Sequence, residues 1–218
     1  MSVLSRAETV FSIIQPGSPP TENQRLFARL APGIQVEAEP EQHALTDFEW
    51  VAHGEYQLGL TDTFLIQGVV LSIHRYDITH HDDISDISPM DIVIGWQKMS
   101  NPEVLSQIHI EQDNRFYFWH VDEFPIPRHE IELYSTNLHL IPHDTVIREK
   151  LFTLKPGDVI SLQGHLTDVK KPDGFIWSTS RVRNDDGDGA CEILLVRHLS
   201  LIKSLTENID HTQINPQH

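Results

Sequence analysis

The chain is short of three things, and each shortage excludes something. Its 218 residues include a single cysteine. That excludes an intramolecular disulfide framework and a zinc site built from several thiolates, but leaves open a site made of histidine and carboxylate. No stretch approaches the roughly 18 consecutive apolar residues of a membrane helix. Basic residues are scarce, with 16 Lys and Arg against 32 Asp and Glu and a formal net charge of −16, which disfavours non-specific attachment to phosphate backbones or anionic membranes. The opening MSVLSRAETVFSIIQPGSPP places only Arg6 ahead of its apolar residues and breaks them with Ser5, Glu8, Thr9 and Ser12. A secretory signal does not look like this, so a cytoplasmic location is expected.

What is present suffices for a core. Apolar residues make up 39% and charged residues 22%, and the length reads as one large domain with elaborated ends. Val3, Leu4, Ala7, Val10, Phe11 and Ile14 recur at helical spacing, so residues 1–14 are expected to form a short amphipathic helix that docks on this domain or on a protein partner, a second copy included. After a Pro-rich linker, Thr21 and Gln24 have capping-box spacing for a helix through Leu30. Residues 34–49 read as an acidic connection. From about residue 55 the pattern turns extended, with strands expected at 64–76, 91–96, 115–121, 130–135, 158–169, 175–183 and 192–202. Short helices are expected from Ser100 to about Gln107 and from Asp144 to Leu154.

Gln67-Gly68 and Gln163-Gly164 each place a glycine inside an apolar strand, as where a strand coils sharply at the corner of a small barrel. The turns KKPDG and NDDGDG make residues 157–202 a three-stranded meander. The fold class is therefore mainly β, a β-rich α+β arrangement: a curved antiparallel sheet or small barrel over residues 50–202, with short helices. Residues 1–49 form a helical segment and acidic linker, and residues 203–218 a flexible polar tail. The acidic excess lies ahead of the meander, since residues 1–147 hold 22 acidic and 7 basic side chains.

Four clusters carry possible chemistry. If Tyr134 to His143 is extended, Ser135, Asn137 and His139 share one face, and His139 could act as a base with Ser135 or Asn137 beside it. A third group to orient the imidazole is not identifiable in the sequence, and a strand end with satisfied polar groups is the preferred reading. His80, His81, Asp82 and Asp83, with Asp86 nearby, could begin a metal site, against a solvated acidic loop as the simpler reading. Asn184, Asp186 and Asp188 mimic half of a calcium loop whose second half fails at Leu195, and Cys191 beside them reads as core. Phe175, Trp177, Thr179, Arg181 and Arg183 alternate along a strand as a surface on which single-stranded bases could stack, with Arg115, Tyr117 and Trp119 a shorter row. The sequence requires no cofactor.

The strings YSTNLHLIP, LKPGDVISLQGHLTDV and DGFIWSTSRVRNDDGDGACEILLV, with DISPMDIVIGW and RFYFWH, are similar to an uncharacterised family of bacterial proteins over roughly residues 85–196. The resemblance brings no established activity with it. Its members often carry a membrane anchor or export segment, for which this chain has no counterpart. GDVISLQGHL also looks like strands of small OB-type barrels, a likeness of fold that implies no function. No cluster has a nucleophile, base and orienting group together, so a non-catalytic binding or assembly module is the leading expectation. A hydrolase using His139 with Ser135 and Asn137 comes next. A single-stranded nucleic-acid binder through Trp177, Arg181 and Arg183 comes third.

Overall fold

The structure is a computed structural model that describes residues 19–76, 84–180 and 191–207, with Cys191 described as backbone only. Thr21 caps the first helix, α1 (Glu22–Phe27). Its Oγ1 accepts from the Gln24 amide at 3.2 Å, and Gln24 Oε1 accepts from the Thr21 amide at 2.9 Å, the reciprocal box expected from the spacing. Two long strands follow, β1 (Glu41–His53) and β2 (Tyr56–Arg75), so the second half of the segment expected to be an acidic linker, from residue 41, belongs to a paired strand, and the boundary expected at residue 49 falls inside β1. Its acidic side chains disguised it. They face solvent on an edge strand, where no apolar alternation is required.

The remaining elements are β3 (Met90–Gly95), a 3₁₀ turn (Gln97–Ser100), α2 (Pro102–Leu105), the hairpin β4 (His109–Asp113) and β5 (Phe116–His120), and α3 (Arg128–Leu133). After them come β6 (Ser135–Pro142), α4 (Thr145–Thr153), β7 (Asp158–Lys170), β8 (Ile176–Trp177) and β9 (Cys191–Ser204). Asn101, not Ser100, caps α2, its side chain accepting from the Glu103 amide at 3.1 Å. Asp144 caps α4 as expected, accepting from the Ile147 amide at 2.8 Å. The strand expected at 130–135 is instead helix α3, since Pro127 opens a helical turn and the Tyr134 amide donates back to the Glu130 carbonyl. β4 had no counterpart among the expected strands. None of the described helices is long and apolar enough to cross a membrane.

The molecule is β-rich, and its large sheet closes on itself. β2 pairs with β3, β3 with β6, β6 with β9, β9 with β7 and β7 again with β2, giving a five-stranded ring with β1 and β8 attached outside it. β2, β3 and β6 are neighbours in order, and β7 returns through α4 to lie beside β2, the Greek-key path of an OB-type barrel. Two expectations are corrected here. The barrel is not wholly antiparallel, because β6 and β9 run parallel from Asn137↔Cys191 to Pro142↔Val196. Nor is 157–202 a meander: β9 pairs with β7, while β8 meets β7 through only two residue pairs, Val169↔Trp177 and Lys170↔Ile176. The OB likeness belongs to the whole ring, not to the C-terminal strands. β9 also runs to Ser204, into the residues expected to form the tail.

Glycine makes closure possible at two corners. A Cβ on Gly68 would stand 2.7 Å from the Gly95 carbonyl oxygen, and one on Gly164 would collide with the Leu195 carbonyl at the register shift between β7 and β9. An irregularity in β2 between Leu60 and Asp62 also sets the layers. Leu58 and Leu60 before it pack in an outer cluster with Ile141, Ile193 and Leu195, whereas Phe64 and Ile66 after it join the barrel core. One extra residue turns the same parity of side chains to the other face. β3 and β6 are buried along their whole lengths, because their outer face is covered by the β4–β5 hairpin, the turn at 84–88 and Trp177.

Candidate functional site

Beneath that cover lies a cluster of charged and polar side chains. Asp91 is the second residue of β3 and is 1% exposed; His139 sits directly across from it on β6 and is 2% exposed. His139 Nδ1 is 2.9 Å from Asp91 Oδ1. Arg115 Nη1 is 3.0 Å from the same oxygen, and the Tyr76 hydroxyl donates to Asp91 Oδ2 at 2.7 Å. The Arg115 guanidinium also lies 3.4 Å over the Tyr76 ring, and donates to the Ser88 carbonyl at 2.9 Å and the Ser85 hydroxyl at 3.3 Å. Trp177 closes the cluster from β8, its ring centroid 4.8 Å from that of His139.

Arg115 reaches this position through a backbone that its residue type does not favour. Asn114 and Arg115 form the two-residue turn of the β4–β5 hairpin, with φ of 49° and 71°. Positive φ at both positions is the mirror-image turn that suits the twist of a hairpin, and its second position ordinarily holds glycine. An arginine there carries a cost of about 1 kcal/mol, which its contacts with Asp91, Ser88 and Tyr76 offset. The turn at 84–88 is fastened from its other side by the Tyr56 hydroxyl, bonded to both oxygens of Asp86 at 2.7 and 2.8 Å.

The expected catalytic trio is divided among other duties. Ser135 Oγ donates to the Ile131 carbonyl at 2.6 Å and lies 2.8 Å from the Tyr117 hydroxyl, which fixes α3 and β5 to the start of β6. Asn137 accepts from Gln112 Nε2 at 2.9 Å and donates to the Arg115 carbonyl at 3.2 Å, which ties β4 and the turn of the hairpin to the barrel. The comb alternation of Ser135, Asn137 and His139 is present. What it does is hold a lid of the chain's own making. Asp91 is a carboxylate beside His139 that sequence reasoning did not identify, 2.9 Å from Nδ1 but outside hydrogen-bond geometry. Its signal was a lone charge inside the apolar run MDIVIG, where only a partnered carboxylate is tolerated.

The other expected sites are placed as follows. Tyr117 and Trp119 turn inward against the core, so the row with Arg115 is not an open stacking surface. Burial pushes the Tyr117 phenol far up from its ordinary value, with the bond to Ser135 opposing and Glu132 adding to the shift. Trp177 is half-buried on His139, and Thr179 is buried, accepting from the Ile193 amide at 3.0 Å while its own amide donates to Asp168 at 3.0 Å. Arg181 and Arg183 lie outside the described residues, as do the metal candidates His80, His81, Asp82 and Asp83, the Asn184 to Asp188 turn and the helix expected over residues 1–14. Among the described residues no three His, Cys, Asp or Glu side chains converge as metal ligands. Glu192 is buried and accepts from the Thr136 hydroxyl at 2.5 Å, joining β6 to β9.

A cavity of about 430 Å³ lies elsewhere, between α4 and the far end of β9, lined by Lys150, Leu154, Leu199, Leu201 and Glu207. It is separated from the cluster along β9, where His139 is registered with Ile193. Comparison with protein-family models, with curated proteins and with solved structures finds no match for this chain.

Proposed function

We propose that the chain is a non-catalytic binding or assembly module that acts in the cytoplasm and contacts a protein partner or a second copy. The observation that supports this reading is the engagement of the polar comb. Ser135, Asn137, Asp91 and Arg115 are bonded to one another's elements, and together they fix the β4–β5 hairpin over the outer face of β3 and β6. A barrel whose face at β3 and β6 is covered by its own chain presents its edges and rims to partners. Native mass spectrometry of the full chain purified from its own cells tests this. A defined complex, lost when residues 1–14 are deleted, is the expected result. A chain that elutes as an unchanged monomer before and after the deletion, or carries a stoichiometric small molecule, counts against it.

One observation favours hydrolysis as a second reading. The Asp91 carboxylate stands 2.9 Å from His139 Nδ1, close enough that a small rotation of the ring would bring it into the orienting position of an imidazole base, although Nδ1 is outside hydrogen-bond geometry here. Turnover of ester or phosphoester substrates by the parent chain that disappears in His139→Ala and is reduced in Ser135→Ala and Asn137→Ala would establish it in place of the binding reading.

A further inference from the structure

Besides residues 1–14, such a module has a second surface open to a partner along β1. This strand stands at the end of the sheet order and pairs, among the described residues, only with β2. Edge strands expose a row of backbone donors and acceptors and are usually blunted by lysine, proline or brevity. From Glu49 to His53 β1 contains neither lysine nor proline, and it runs in regular register against Leu60 to Tyr56. Ahead of that stretch the register shifts between Ala44 and Glu49, letting Phe48 fold back beside Trp50. The two rings meet edge-on with centroids 5.3 Å apart. Both lie over Gly59, where a Cβ would come within 2.7 Å of Phe48 and 3.1 Å of Trp50. Phe48 is nevertheless 53% exposed and Trp50 37% exposed. They form an aromatic platform whose position is already set, so little side-chain freedom is lost when a partner covers it.

Charge selects the occupant. Glu41 to His53 carries Glu41, Asp47 and Glu49 with no lysine or arginine, and the turn after it adds Glu55. A second copy offering the same edge would set these carboxylates against their own images. We infer that the Glu49–His53 edge of β1 accepts an extended, arginine- or lysine-rich segment of a partner protein as an added strand. Cations on one face of that strand lie over the Trp50 and Phe48 rings, and cations on the other face lie beside Glu49. This inference rests on the binding-module reading and names the class of partner.

The test pans phage-displayed random dodecapeptides on the full chain and on the variant Asp47→Lys/Glu49→Lys. Both substitutions are at exposed positions, and both proteins are checked for the same circular dichroism. Peptides rich in arginine or lysine, with β-branched residues among them, are expected from the parent chain. A synthetic copy of a selected peptide is expected to weaken by at least about tenfold on charge reversal and on Trp50→Ser, to weaken further as salt rises, and to slow hydrogen exchange at amides 49–53. Acidic or uncharged selected peptides, binding indifferent to the charge reversal, or protection of amides elsewhere would overturn the inference. So would a dimer of the chain dispersed by the same reversal, since the occupant would then be a second copy. A cellular complex that survives Asp47→Lys/Glu49→Lys removes this edge while leaving the module reading standing. A monomer carrying a small molecule removes both.

Discussion

Removing the Arg115 side chain tests whether the covered barrel face is held as described. In Arg115→Ala the Asp91 carboxylate, 1% exposed, keeps Tyr76 and His139 but loses its guanidinium, while Ser85 and Ser88 lose a donor and Tyr76 its cation. Breaking a buried ion pair from one side costs about 3–5 kcal/mol, because the remaining charge stays out of water. For a chain of this length each kcal/mol lowers the melting temperature by about 2–4 °C, so a fall of about 6–20 °C is expected. Arg115→Gly makes the same deletion but removes the backbone cost of a side chain at φ 71°, so it should be about 1 kcal/mol more stable than Arg115→Ala. The double variant Asp91→Leu/Arg115→Met, which removes both charges, should recover most of the loss. Urea and thermal unfolding at neutral pH measure all three. A loss below about 1 kcal/mol for Arg115→Ala, or no advantage of glycine over alanine, would refute the account of Arg115 as the fastener of the hairpin.

Gly164→Ala places a methyl group against the Leu195 carbonyl and should cost several times the roughly 1 kcal/mol expected of Gly174→Ala, which is strained at φ 90° but open in space; equal losses in urea unfolding would contradict the close β7–β9 approach. Asp144 is held below its ordinary carboxylate value chiefly by the Ile147 amide and then by His143. Its contribution is complete above pH 3.8 and is lost as pH falls through the lowered folded value, so Asp144→Ala should flatten the acid limb of the stability profile. His165 is pushed below 6.5 by burial and by Arg197. The folded state resists its protonation, stability declines as pH falls through 6.5, and His165→Gln should remove that decline. Tyr117 is shifted upward by burial, so the folded chain is fully stable with respect to it below pH 10 and loses stability above. Ultraviolet titration should show its ionisation only with unfolding, and the signal should vanish in Tyr117→Phe.

How much of this was legible in the sequence depended on which force set each element. Local chemistry was readable: the Thr21 and Asp144 caps follow from side chains a few residues away. The interior glycines Gly68 and Gly164 stood out in the sequence, but the groups that demand them, Gly95 and Leu195, lie on other strands. Elements set by distant packing were not. β1 is extended because β2 pairs with it, although its own residues look like an acidic linker, and the strand propensity of 130–135 gave way to a helix opened by Pro127. Within the cluster, the shared face of Ser135, Asn137 and His139 was visible from alternation. Their partners were not, because Asp91, Arg115 and Tyr117 approach from other strands, and nothing in the sequence sets that register. The meander failed for the same reason: a turn signal reports that the chain reverses, not which side of β7 the next strand takes.

The parallel pairing of β6 with β9 has a consequence for synthesis. The ring closes only when its last strand arrives, and that strand pairs with a partner more than fifty positions earlier as well as with β7. Until residues 191–204 leave the ribosome, β6 and β7 each present a bare edge, and β6 is apolar toward the barrel interior at Leu138 and Leu140. A chain stalled or cut just before Cys191 is therefore a different object from one that is fifteen residues longer. It has most of the core and neither of the two seams that would keep it from pairing with its neighbours on the same message.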